Sequence, residues 1–353
     1  MKILITGGAG FVGSSIAIRL KKENPLNEII CFDNLKRRGS ELNMKNFLEL
    51  GIKFIHGDIR NVEDFKNIGD YNVMIEASAE PSVLAGTKGG PNSVIQNNLI
   101  GSINCFNNAL NNDALLIFLS TSRVYPIQKI ENANFIEEEM SYSFSDKQTE
   151  FGISEYGISE KLSLIGSRSF YGTTKLCSEQ LLEEYHSFYG LKTITTRFGV
   201  IAGPRQMGKT DQGVVTLWMA NHFWKKSLSY IGYGGKGKQF RDILHIDDLV
   251  DLVILQIEQS DKFNGKVFNA GGGIGNSVSL REMTNICQQI TGNKIDLSEI
   301  PENRPADLKG YVTDNSSIFE NCSWRPNRNV EKTFADIYEW IKTNQIELKN
   351  ILN

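Results

Sequence analysis

The stretch "TGGAGFVGS", Thr6 to Ser14, decides how the chain is read. Gly7, Gly10 and Gly13 carry the spacing GxxGxxG between a strand-like run, Lys2–Thr6, and a segment, Ser14–Lys22, whose apolar residues recur at three and four positions. Glycine permits a tight turn and lets backbone amides approach a pyrophosphate, which then sits at the positive N-terminus of the following helix. A glycine turn that merely joins strand to helix satisfies the bare pattern equally well.

The flanking sequence narrows the choice. A second apolar run, Glu28–Asp33, ends in a carboxylate about 20 residues past the last glycine, where it can accept bonds from an adenosine ribose diol. Asp33 would also repel a 2′-phosphate and so favours NAD over NADP, although Lys36, Arg37 and Arg38 could grip that phosphate or form a solvated turn. Further runs at Lys53–Asp58, Val73–Ala77 and Leu115–Ser120 alternate with helical patterns such as Val94–Leu110. That alternation predicts βαβ units around a parallel sheet covered on both faces. The fold class expected is α/β, a Rossmann-type doubly wound parallel sheet with a smaller mixed α/β substrate-binding lobe.

Composition excludes several classes. The chain has 353 residues, 40% of them hydrophobic and 22% charged, with a net charge of −3. There is no electrostatic footprint for nucleic acid or for an anionic membrane surface. No run of about 18 apolar residues suggests a membrane span. Five scattered cysteines without a CxxC pair argue against a disulfide framework, and the opening "MKILITGG" lacks the pattern of a leader, so a cytoplasmic protein is expected. The four histidines show no metal-ligand spacing, and no metal is expected.

Two further stretches carry chemistry. In "SFYGTTK", Tyr171 and Lys175 stand four apart and share a face if the segment is helical. A tyrosine holds its proton to a pKa near ~10, and a neighbouring cation stabilises the phenolate and lowers that value. A surface helix would place the same two residues together by chance. In "LSTSRVY", the Thr121 hydroxyl would emerge at the carboxyl edge of the sheet, where ligands bind in open α/β folds. The run "HGDIR" puts Asp58 and Ile59 at a third strand end, either against an adenine or in an ordinary loop.

Taken in order, "TGGAGFVGS", the Asp33 strand end, "GDIR", "NNLIGS", "STSRVY", "YGTTK", "RDILHIDD" and "RPAD" resemble the extended short-chain dehydrogenase/reductase family of nucleotide-sugar epimerases and dehydratases. The resemblance covers nearly the whole chain. It implies that Tyr171 is the acid/base, that Lys175 binds the nicotinamide ribose and makes Tyr171 more acidic, and that Thr121 fills the catalytic Ser/Thr position. It implies NAD as cofactor, held by Gly7, Gly10, Phe11, Val12, Gly13, Asp33, Asn34, Asp58, Ile59, Ala77, Ser78, Asn98 and Ser120 together with Tyr171 and Lys175.

On the substrate side the resemblance implies Ser122, Arg123, Gln206, Arg241 and Arg304, the last two gripping a nucleotide diphosphate; Asp211 is a further candidate on the sugar side. Surface ion pairing with Asp242 or Asp307 is the other reading of those two arginines. Dehydratases of the family usually carry an acidic pair where this chain has Ser122 and Arg123, so elimination chemistry is disfavoured. Texture in "AEPSV", "AGPRQMGKTDQG" and "GYGGKGKQFRD" resembles the CDP-paratose 2-epimerase branch, which implies a CDP-sugar substrate. Departures are "EASAEPS" at the fourth strand end, where that branch often has His and Gln, and Pro126 after "VY".

The organisation expected is an NAD-binding domain over residues 1–203, its sheet rejoined by about 242–274, with 204–241 and 275–353 forming the smaller nucleotide-sugar-binding lobe. The polar stretch from Tyr125 to Ser167 is expected to be a lid, a wall or a solvated insertion. The helices Val94–Leu110 and Tyr171–Tyr189 are the family's usual dimer seam, so a homodimer or homotetramer is implied.

Overall fold

A computed structural model describes residues 1–208 and 212–352. Five apolar runs form parallel strands with nearly the expected limits: β1 (Lys2–Thr6), β2 (Glu28–Asp33), β3 (Lys53–His56), β4 (Val73–Glu76) and β5 (Leu115–Thr121). With Thr193–Phe198 and Lys266–Ala270 they make a seven-stranded sheet, ordered from one edge as Lys266–Ala270, Thr193–Phe198, β5, β4, β1, β2, β3. Ile3 of β1 stands opposite Ile29 of β2 on one side and Val73 of β4 on the other. The strand order therefore reverses at β1, the topological switch point where open α/β sheets bind ligands beyond their carboxyl ends.

The strands read as continuous apolar runs because both faces are covered. On one face Phe106 meets Phe118 edge-on at 5.6 Å, within a cluster that includes Leu4, Phe32, Met74 and Leu182. Each such side chain contributes about 1.5–3 kcal/mol by leaving water. The segment expected as one helix from Val94 is interrupted: Asn92–Ile95 runs into a π turn at Gln96–Ile100 before regular helix resumes at Gly101–Asn111. Asn98 sits in that π turn, fully buried, and its amide is bonded on both sides to the backbone of Glu80.

The chain divides into two compact units. The first comprises Met1–Thr121, Phe170–Arg197 and Val250–Phe268; the second comprises Ser122–Ser169, Phe198–Leu249 and Asn269–Asn353. This partition departs from the boundaries expected from sequence. Residues 122–169 belong to the second unit, because the polar stretch there folds into a short helix and two hairpins that bond within that unit, as Tyr142 does to Lys238. The strand Phe240–His245 does not rejoin the large sheet; it centres a four-stranded sheet with Val200–Ala202, Ser277–Ser279 and Gly310–Tyr311. The large sheet is rejoined at Lys266–Ala270 alone. Among the described residues no helix is long and apolar enough to cross a membrane.

Candidate active site

The glycine loop links β1 to the helix α1 (Phe11–Glu23), and chain packing explains its composition. A Cβ on Gly7, whose φ is +64°, would lie 2.7 Å from the Ala77 carbonyl oxygen; one on Gly8 would lie 2.6 Å from the Cys31 Cβ; one on Gly13 would lie 2.3 Å from the Gly7 oxygen. Those glycines let the loop press onto β2, β4 and the first turn of α1. A Cβ on Gly10, the N-cap of α1, would meet one atom among the described residues, the Gly7 oxygen at 3.2 Å, so the outer side of the cap is open. An open cap beside free helix amides is what a pyrophosphate requires. Phe11 and Val12 follow in the first turn, half-buried.

Asp33 ends β2 beside the glycine loop. Its Oδ2 accepts from the Ala9 amide at 3.1 Å and its Oδ1 from the Leu35 amide at 2.8 Å, so the carboxylate is fixed against the loop. Burial pushes its pKa up, and those amide bonds oppose the shift. Asp58 is differently placed: Arg60 grips it through Nε at 2.9 Å and Nη2 at 2.6 Å, and the Asn34 amide adds a bond at 2.9 Å. Arg60 thereby holds the Asp58 carboxyl well below the usual range. Its carboxylate and the Asn34 amide are thus committed to each other and to Arg60. Ile59 packs inward, where a Cβ on Gly101 would lie 2.5 Å from its Cδ1; the expected contact of its side chain with an adenine gives way to core packing. Lys36 and Arg38 are exposed.

Tyr171 and Lys175 lie on one long helix, Phe170–Tyr189, as the four-residue spacing predicts. Tyr171 is half-buried and Lys175 is 2% exposed. The Lys175 Nζ stands 3.1 Å from Oε2 of the buried Glu76 and 4.2 Å from the centre of the Phe118 ring. One turn further along, Glu179 faces Arg197 of the Thr193–Phe198 strand. Ser120, expected at the cofactor, instead donates its hydroxyl inward to Glu179. Thr121 ends β5 in a buried position, and Ala77 and Ser78 follow β4 beside Gly7, half-buried. Asn98 reaches the site indirectly, by holding the Glu80 backbone of the loop that follows β4.

The residues assigned to the substrate side lie in the second unit. Arg241 pairs with Asp307 at 3.1 Å, not with Asp242, and donates to the carbonyls of Phe240 and Leu308. Its remaining guanidinium donors are those a phosphate could take. Arg123 donates to the Ala306 carbonyl at 3.2 Å, and Arg304 is half-buried on the same loop as Ala306. Ser122 is buried at the end of β5. Gln206 has both ends of its amide occupied, by the Ile201 carbonyl and the Thr216 hydroxyl, each at 2.8 Å. A side chain so satisfied braces its own loop, in place of the sugar contact expected of it. Asp211 lies outside the described residues.

Glu76, Phe118, Glu179 and Arg197 were not among the expected site residues. Glu76 had one signal, an acid closing the otherwise apolar strand "VMIE".

NAD fits the first unit: the open Gly10 cap, the carboxylate fixed beside it and the buried ammonium on the Phe170–Tyr189 helix are the features such a ligand needs. A protein of Salmonella typhi named CDP-paratose 2-epimerase is 28% identical over 352 residues, covering 96% of this chain and 99% of that one. A putative UDP-glucose 4-epimerase of Methanocaldococcus jannaschii is 25% identical, covering 97% and 99%. In fold, the chain is similar to a UDP-glucuronic acid 4-epimerase from Bacillus cereus solved with UDP-glucuronic acid and NAD, at a TM-score of 0.79 and 24% identity over 97% of this chain and 99% of that one. The model of the NAD dependent epimerase/dehydratase family matches residues 3–271, from the first strand through the last strand of the large sheet, and the chain belongs to that family.

Proposed function

We propose that the protein epimerises a nucleotide-activated sugar with NAD, and that its reaction is inversion at C2 of CDP-paratose to give CDP-tyvelose. The observation that carries the reading is Tyr171 and Lys175 on one helix face in a chain similar, end to end, to a CDP-paratose 2-epimerase. NAD, when bound, supplies a hydride acceptor and donor. Tyr171, as phenolate, takes the proton from the sugar hydroxyl that is being oxidised, and later returns it at the same oxygen. Lys175 stabilises that phenolate, and the Thr121 hydroxyl bonds the reacting sugar oxygen. The keto sugar then presents its opposite face, which inverts one carbon with no net redox change.

Arg241, set by Asp307 and the Leu308 carbonyl, and Arg304 hold the diphosphate while the sugar turns. A 4-epimerase acting on a UDP-sugar is the second reading, supported by the full-length likeness to the Methanocaldococcus protein. Assembly as a homodimer or homotetramer belongs to the same proposal: Phe188 and Tyr189, 78% and 66% exposed on the Phe170–Tyr189 helix, leave apolar surface for a partner copy.

The test is to purify the protein without added cofactor, denature it and assay released NAD, then to incubate fresh protein with CDP-paratose and, separately, with UDP-glucose. Inversion at C2 supports the first reading and inversion at C4 the second. Net NADH formation would make it a dehydrogenase and overturn both. Tyr171→Phe should abolish turnover while leaving NAD binding intact, and retained turnover would remove Tyr171 from its role.

A further inference from the structure

The buried pair of Lys175 and Glu76 is not explained by the role given to Lys175. Both side chains are shut away from water, at 2% and 0% exposure, and lie 3.1 Å apart. Among the described residues, the ammonium has the Glu76 carboxylate and the face of the Phe118 ring as its neighbours. An ammonium with no counter-ion in such surroundings loses its proton readily, because burial penalises the charged form. Glu76 stands at the end of β4, next to the Ala77 and Ser78 positions against which Gly7 packs, so its place is fixed by the sheet.

We propose that Glu76 is a positioning residue: its carboxylate, anchored on β4, fixes the Lys175 Nζ and keeps it charged, so the acidity of Tyr171 depends on a residue of the central sheet. One carboxylate oxygen, Oε1, is buried without a hydrogen-bond partner among the described residues, and the Ser78 backbone amide steadies the group from the loop after β4. The titratable groups acting on it are Lys175 from the Phe170–Tyr189 helix and the Cys105 thiol from Gly101–Asn111. Burial pushes the Cys105 thiol up, which leaves it neutral. Burial likewise raises the Glu76 carboxyl, and the Lys175 charge pulls it back down. The consequence for Tyr171 rests on the proposed function; the pairing itself does not.

The experiment follows Lys175 directly, by NMR of the full chain carrying ε-13C-lysine, titrated with pH and assigned with Lys175→Met. In Glu76→Gln the Lys175 midpoint should fall by about one unit or more against wild type. Glu76→Asp, one methylene shorter, should fall between the two, and it serves as the readout if Glu76→Gln does not fold. The tyrosinate absorbance that disappears in Tyr171→Phe should move to higher pH in the same variants. A Lys175 midpoint unchanged in whichever variant folds would overturn the proposal. Because this readout needs neither substrate nor turnover, its failure is distinct from failure of the epimerase reading.

Discussion

Arg197 and Glu179 grip each other edge to edge: the Arg197 Nε lies 3.1 Å from both carboxylate oxygens of Glu179 and its Nη2 lies 2.6 Å from Oε2. Together with Lys175 and Glu76 this makes two buried ion pairs, one turn apart, that pin the Phe170–Tyr189 helix to the sheet. Helix position is thus set by charge as well as by packing.

Removing one partner of such a pair leaves the other charge stranded. Glu179→Ala should lower unfolding stability by about 3–5 kcal/mol, since it removes the buried carboxylate that the Arg197 guanidinium grips. Glu179→Gln, which still accepts from Arg197 and Ser120, should lose less. Urea unfolding of the two variants measures the difference, and equal stabilities would contradict it.

Glycines of the loop should differ sharply in tolerance. Gly13→Ala would put a methyl group 2.3 Å from the Gly7 oxygen, forcing the loop off α1, with a loss of about 1–3 kcal/mol and of co-purifying NAD. Gly275→Ala, at a site with nothing within 4 Å, should stay within about 0.5 kcal/mol of wild type. Nucleotide content and melting temperature report both effects.

The Asp58–Arg60 pair makes a prediction with a definite sign. A carboxyl whose folded pKa is depressed adds stability above its unfolded value, near ~3.9, and that stability is lost as pH falls further. Arg60→Leu should therefore be less stable than wild type at pH 6, and the gap should close progressively below about pH 4. A gap that widened on acidification would exclude the pairing as its source.

Gln206 should behave as a brace. Gln206→Leu loses its bonds to Ile201 and Thr216, and a drop of about 1–3 kcal/mol in stability is expected with the ranking of sugar substrates unchanged. Altered sugar preference at unaltered stability would return Gln206 to the substrate.

The large sheet was legible because its strands are unbroken apolar runs bounded by glycines and polar turns: β1 and β2 begin and end where the sequence placed them. That Tyr171 and Lys175 share one helix was legible from their four-residue spacing, whereas the roles given to them came from the resemblance and not from the spacing. Glu76 was not, since it meets Lys175 across 99 positions and its neighbours in sequence say nothing of an ion pair. Gln206 and Ser120 looked available because a polar side chain near a strand end does not reveal which partner it will find inside the fold. The assignment of residues 122–169 to the second unit escaped notice for a related reason: two-residue strands such as Ile153–Ser154 are too short to leave a periodic signal.

The π turn at Gln96–Ile100 has a consequence for how this segment tolerates change in length. A π turn accommodates one residue more than the regular ladder. Deleting a single residue there would let the ladder close without interruption but would swing the preceding turn through about 100° around the axis. Val94, now sealed from solvent, would face a new direction, and Asn98 would release the loop it clasps. A shortened chain could thus gain a more ordinary helix and lose the shape of its binding edge.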